Sequence, residues 1–155
     1  MTTVQILASL FAVTFIGWIT GPNHALAEDA LKLESAYDFN ETLAHLRAAL
    51  QSKGFTIMAV IDHRAAASDV GLEMPPTTVL IYGNPKGGTP LMLAAPDFAL
   101  ELPLRVLVRQ DGHGKTIVVF NPANTLEGKH GLPAGMADRL APAESILRNS
   151  IVRTQ

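Results

Sequence analysis

The chain contains no cysteine. That removes disulfides, thiolate nucleophiles and lipid attachment through an N-terminal cysteine, so packing alone must hold the fold together. Aromatic residues are scarce, at 6%, and charge is low and balanced, with 12 basic residues against 14 acidic ones and a formal net charge of -2. Without a basic field there is little to neutralise a polyanion, and no nucleic acid partner is expected. There is no Gly-x-Ser-x-Gly elbow, and His24, His45, His63, His113 and His130 do not fall at metal-ligand spacing. Gly114-Lys115-Thr116 ends like a phosphate-binding loop, but Arg109 occupies the upstream position that needs glycine. No catalytic residue, metal ligand or cofactor follows from the residues.

A long apolar run occurs in one place. Val4 to Thr20 carries no charge, Gly21-Pro22 ends it, and Ala25-Leu26-Ala27 has the small-residue spacing of a signal-peptidase site. The sequence thus predicts a signal peptide over 1–27, cleavage after Ala27 and a single mature domain over 28–155, periplasmic or secreted. Contact with a membrane is expected only during export, through that segment. Met1-Thr2-Thr3 lacks the usual Lys or Arg, so an uncleaved anchor is the alternative.

What is present beyond residue 28 alternates between helix and strand signals. Lys32 to Tyr37 reads as a first edge strand. Asp38-Phe39-Asn40-Glu41 has the spacing of a capping box, and Phe39, Leu43, Leu46 and Leu50 form one helical stripe that Gly54 ends. Phe55 to His63 alternates as a strand, with Phe55, Ile57, Ala59, Ile61 and His63 assigned to one face. Arg64 to Gly71 suggests a short alanine-rich turn, Thr77 to Gly83 a β-branched strand, and Gly83 to Gly88 a loop before a helical turn over Leu91 to Ala95. Leu104 to Arg109 and Lys115 to Asn121 form a hairpin around Asp111-Gly112-His113-Gly114. Pairing Gln110 with Lys115 makes Val106, Val108, Ile117 and Val119 the core face, with Arg105 opposite Phe120 on the outer one. A final helix is expected from about Pro142 to Ile151, with Pro142 in its first turn. This order predicts an α+β fold: an antiparallel sheet of about five strands, helices packed on one face, arranged strand-helix-four strands-helix.

Ile61-Asp62-His63, Pro76-Thr77, Tyr82-Gly83-Asn84-Pro85-Lys86, Gly88-Thr89-Pro90-Leu91-Met92, Leu100-Glu101-Leu102-Pro103-Leu104 and Asn121-Pro122 recur in an order that resembles the domain of unknown function family 302. The resemblance runs from about Ser35 to the C-terminus. It implies a TATA-box-binding-protein-like α+β topology and no DNA binding, and it supplies no reaction or ligand to transfer.

These motifs nominate candidate ligand-binding residues: Asp62, His63, Tyr82, Asn84, Lys86, Thr89, Met92 and Asn121. The Gly83–Thr89 loop would offer amide groups and the Lys86 ammonium to an anion, and Tyr82 with Met58, Met74 and Met92 would line an apolar pocket beneath it. Asp62 and His63 point to opposite faces if both lie on a strand, which argues against a direct dyad. The leading expectation is an exported domain that binds a small ligand or a protein partner, with a homodimer through the semi-apolar outer sheet face as one form. The alternative is an enzyme or a haem- or metal-binding protein using His63 and Asp62 with the Gly83–Thr89 loop, His130 being a further possible ligand. A purely structural interaction domain is the third reading.

Overall fold

The computed structural model describes residues 30–153. The signal-peptide expectation over 1–27 therefore lies outside the described residues. The elements are β1 (Leu31–Glu34), α1 (Phe39–Ser52), β2 (Thr56–Asp62), α2 (His63–Ser68), β3 (Thr77–Gly83), α3 (Pro85–Ala94), β4 (Leu104–Gln110), β5 (Thr116–Phe120) and α4 (Ala141–Ser150), with short 3-10 turns between α3 and β4 and between β5 and α4. The strands form one five-stranded sheet in the order β1-β5-β4-β3-β2, and every neighbouring pair is antiparallel. This is the α+β fold expected from the order of elements.

α1 starts where the capping box predicts. The Asp38 carboxylate accepts from the Glu41 amide at 2.8 Å, and the Asp38 amide donates back to Glu41 at 3.4 Å, which satisfies two amides that have no intrahelical partner. Gly54 follows with φ +80°, the left-handed stop. The stripe of α1 then buries Leu46 and Leu50 against Leu147 and Ile151 at the end of the chain, and both helices cover Leu80, Tyr82, Val106, Val108, Val118 and Phe120 on one sheet face. Removing this apolar surface from water is the main stabilising term. A second apolar cluster, around Leu91, Phe98, Leu126, Leu132 and Leu140, sits under α3 and the 3-10 turns, and Leu104 packs against both clusters.

The hairpin differs from expectation by one residue. Gln110 pairs with Thr116 rather than Lys115, so Val106 faces Phe120 and Val108 faces Val118. The slip exchanges the faces of β5: Thr116, Val118 and Phe120 are buried, Ile117 and Val119 turn outward, and the Arg105–Phe120 pair does not form. The cause is local. Gly114 adopts φ +77°, its amide bonds Asp111 O at 3.1 Å while the Asp111 amide bonds Lys115 O at 2.9 Å, and the Asp111 carboxylate accepts from the His113 and Lys115 amides. A three-residue connection closed by a left-handed glycine replaces the four-residue one.

β2 also departs from simple alternation. A bulge at Met58 breaks its register against β3, so Ile57 faces Tyr82 and Val60 faces Leu80, while Ala59 and Ile61 turn to the outer face with Ile81 and Val79. The expected single row of Phe55, Ile57, Ala59, Ile61 and His63 is therefore split. That outer face remains semi-apolar, since Val79, Ile81, Leu107, Ile117 and Val119 are half-buried.

Candidate functional site

Antiparallel pairing decides which motifs meet. Gly83 pairs with Thr56 at one end of the sheet and Asp62 with Thr78 at the other, a separation of about 17 Å along the strand. Leu104 pairs with Tyr82, and Phe120 pairs with Val106, so Asn121 lies at the Gly83 end. The motifs thus divide between two sites rather than meeting in one.

Asp62 and His63 do not join the loop. Asp62 is the N-cap of α2 and accepts from the Ala65 amide at 3.0 Å, while His63 opens that helix and is exposed. The expectation of His63 as a strand residue near the Gly83–Thr89 loop is overturned, because the end of β2 lies beside the beginning of β3. His130 bonds Glu101 at 3.0 Å, on the side of the chamber described below. Among the described residues no group of three His, Cys, Asp or Glu is placed to hold a metal ion.

The Gly83–Thr89 stretch is not a loop but the end of β3 and the first turns of α3. Asn84 caps the helix by accepting from the Lys86 amide at 2.9 Å, Pro85 occupies the first turn, and the Gly87 and Gly88 amides both bond Asn84 O at 3.0 Å. The amides expected to cradle an anion are thus consumed by the cap. Lys86 is exposed. Glycine matters here for another reason: a Cβ on Gly88 would lie 3.2 Å from Leu102 Cδ1, and one on Gly83 would lie 3.1 Å from Met58 Cε. Both permit close approach of the walls of a cleft.

That cleft encloses about 430 Å³ between the start of α3, the Met58 bulge, the Leu102-Pro103 turn and the start of α4. The expected pocket residues Met58 and Met92 line it, as do Asn84 and Thr89. Met74 instead borders a separate hollow near Arg64 and Pro75. The lining is otherwise apolar, including Phe55, Leu102, Pro103, Leu140 and Pro142, and its charged members are both cationic, Lys53 and Arg139. Neither cation was nominated from sequence, because a lysine after a helix and an arginine in a turn carry no pattern.

Behind Leu104, Leu140 and Ala143 lies a smaller chamber of about 30 Å³, lined by the expected residues Tyr82 and Asn121 together with Glu101, Arg105 and Glu144. Tyr82 is only 2% exposed and stacks edge-on against Phe55 at 5.8 Å between ring centroids. Burial first, and the Glu144 carboxylate second, raise its phenol far above the ordinary value. Glu101 was within a recognised motif but no chemical pattern singled it out.

The class defined by these features is a small α+β domain with one open sheet face and a ligand-sized cleft at one sheet end. The family model for the domain of unknown function DUF302 matches residues 31–149, and the chain belongs to that family. A crystal structure of an uncharacterized conserved DUF302 protein from Bacillus stearothermophilus superposes with a TM-score of 0.69 over 81% of this chain and 97% of that one, at 21% identity, a likeness of fold. The chain is also 37% identical over 100 residues to "Fluoride-specific ion channel FluC 1" of Brucella suis biovar 1, covering 64% of this chain and 39% of that protein. The same identity holds for "Fluoride-specific ion channel FluC 2" of Brucella melitensis biotype 1, of which 37% is covered. The chain thus spans less than half the length of the curated relatives it matches. Among the described residues no helix is long and apolar enough to cross a membrane.

Proposed function

We propose that this domain binds a small amphipathic molecule in the cleft, with the apolar body against Met58, Met92 and Leu102 and an acidic head toward Lys53 and Arg139. The carrying observation is the cleft itself: about 430 Å³, apolar in most of its lining, with two cations and no carboxylate among the lining residues. That volume lies within the range of small-molecule sites. Thioethers adapt to varied apolar shapes, and cations at a rim select the sign of the head group. The reading includes export, supported by the apolar 4–20 run and Ala25-Leu26-Ala27, and recovery of a chain beginning at Glu28 from the periplasm or medium is the expected outcome.

Titration with anilinonaphthalene sulfonate, an apolar fluorophore with an anionic group, tests the site. Saturable enhancement is expected, with loss on Thr89→Trp, which fills the cleft from an exposed position, and weakening of about fivefold on Arg139→Glu, the scale of an exposed charge contact. Unchanged titration in both variants, with the fold retained, overturns the reading. A second reading, association of two copies, is favoured by β2, where Met58, Val60 and Ile61 are 50%, 45% and 41% exposed. The two surfaces share Met58, which also lines the cleft, whereas Val60 and Ile61 lie on the β2 edge outside it.

A further inference from the structure

The outer face of the sheet carries a pattern that a merely solvated face does not need. We propose that it docks an amphipathic helix of a partner protein, one whose apolar stripe is flanked by carboxylates on both sides. The register fixes which outward residues stand side by side. Ile61 faces Val79, Val79 faces Leu107 and Leu107 faces Val119. One continuous apolar row thus crosses β2, β3, β4 and β5, about 14 Å at the ordinary strand spacing. Ile81 and Ile117 widen it on β3 and β5. An antiparallel sheet with one free face ordinarily alternates apolar inward with polar outward, and the centre of this face breaks that alternation. Val79, Leu107 and Val119 are half-buried and Ile61 is exposed, while α1 and α4 cover the opposite face.

Charge decides the occupant. β4 is the middle strand of the five, and Arg105 and Arg109 share the outward face with Leu107, so a guanidinium stands on each side of the row. Their Cα atoms lie about 14 Å apart along the strand, which leaves room between them for a helix of about 10–12 Å diameter laid along the row. Among the described residues neither arginine is in an ion pair. Glu101 and Glu144, which share a hollow with Arg105, are taken by His130 and Arg148. Glu34, in line with Arg109 and Ile117, is taken by Lys115. The face is therefore locally positive on a chain whose formal net charge is -2. A second copy does not fit it. Two such faces stacked about Leu107 with strands aligned set arginine on arginine, and crossed at a right angle they set arginine on the apolar row. Carboxylates on the two flanks of a helix meet both guanidiniums at once, while its stripe covers Leu107. None of these residues lines the cleft, and pairing at the β2 edge extends the sheet sideways and leaves the row open.

The test is amide chemical-shift titration of the protein with a synthetic peptide of about 18 residues, long enough to be helical. It carries leucines at i, i+3, i+4 and i+7 spacing, glutamates on both flanks of that stripe and alanine elsewhere. The same peptide with lysines on the flanks is the control. Saturable shifts at Val79, Leu107 and Val119 are expected with the glutamate peptide, and binding at least about tenfold weaker with the lysine peptide. Arg105→Glu combined with Arg109→Glu should reverse that preference, and Leu107→Gln should weaken the glutamate peptide about tenfold. Circular dichroism checks that both variants keep the fold. The proposal is overturned by no saturable shift at the row, by equal binding of the two peptides, which marks apolar adhesion only, or by an unchanged preference in the double variant. Shifts at the row that grow with protein concentration alone assign the face to a second copy, and stronger binding to phosphatidylglycerol vesicles through the same amides assigns it to a membrane; either overturns the proposal.

Discussion

At the scale of single residues, the buried phenol of Tyr82 makes the most specific prediction. Its folded-state proton is held more tightly than in the unfolded chain, because burial and Glu144 disfavour the phenolate. The stability that follows is complete below the unfolded value near pH 10 and is lost as pH rises above it, by about 1.4 kcal/mol per pH unit for one such group. Urea unfolding between pH 10 and 11 should show that extra slope in the wild type and not in Tyr82→Phe. Asp111 has the opposite sign. Amides of His113 and then Lys115 hold its carboxyl below the ordinary value, so its contribution is present at neutral pH and disappears as pH falls below about 4. Asp111→Ala should remove that acid limb and loosen the hairpin, read as faster amide exchange at Lys115. Glycines separate in the same way by what surrounds them. Gly87 has nothing within 4 Å of where a Cβ would stand and lies inside α3, so Gly87→Ala should stabilise by about 0.5–1 kcal/mol.

At the scale of elements, success and failure follow the range of the signal. α1 was legible because its cap, stripe and stop are all local, from Asp38 to Gly54, and its buried face predicts its own energetics. Leu46 is fully buried in the helix-on-sheet core, and Leu46→Ala should cost about 2–5 kcal/mol by chemical denaturation. β3 was legible for the same reason. α3 was legible only in its second half, the helical turn from Leu91. The glycines and prolines of Gly83 to Gly88 read as loop, yet Asn84 caps the segment, Pro85 needs no amide partner in the first turn, and the burial of Leu91 favours the helix. β2 and β5 form where expected, but their faces differ from expectation for a third reason. A period of two has no tolerance for one extra residue, so the left-handed Gly114 and the Met58 bulge each moved side chains to the other face.

At the scale of the whole molecule, half of the candidate site was readable and half was not. Tyr82, Asn84, Thr89, Met92 and Asn121 do gather at one sheet end, the first and last at the chamber and the others at the cleft. Asp62 and His63 fall at the opposite end, a consequence of antiparallel order that motif proximity in sequence hides. Lys53, Glu101, Arg139 and Glu144 arrive from distant segments, so only tertiary packing reveals them. The same global view shows an edge. β2 ends the sheet, and its sequence TIMAVID has no Lys or Pro to discourage pairing. The bulge protects its first half, which leaves Ala59 to Asp62 able to meet the same segment of a second copy about a two-fold axis. So short a pairing implies weak association, roughly micromolar or weaker. Sedimentation of the purified protein across concentration should show a monomer–dimer equilibrium, and Val60→Lys should shift it to monomer without altering anilinonaphthalene sulfonate binding. A monomer at every concentration removes the dimer and leaves the cleft reading intact, whereas a Val60→Lys chain that still dimerises moves the contact from the β2 edge to another surface.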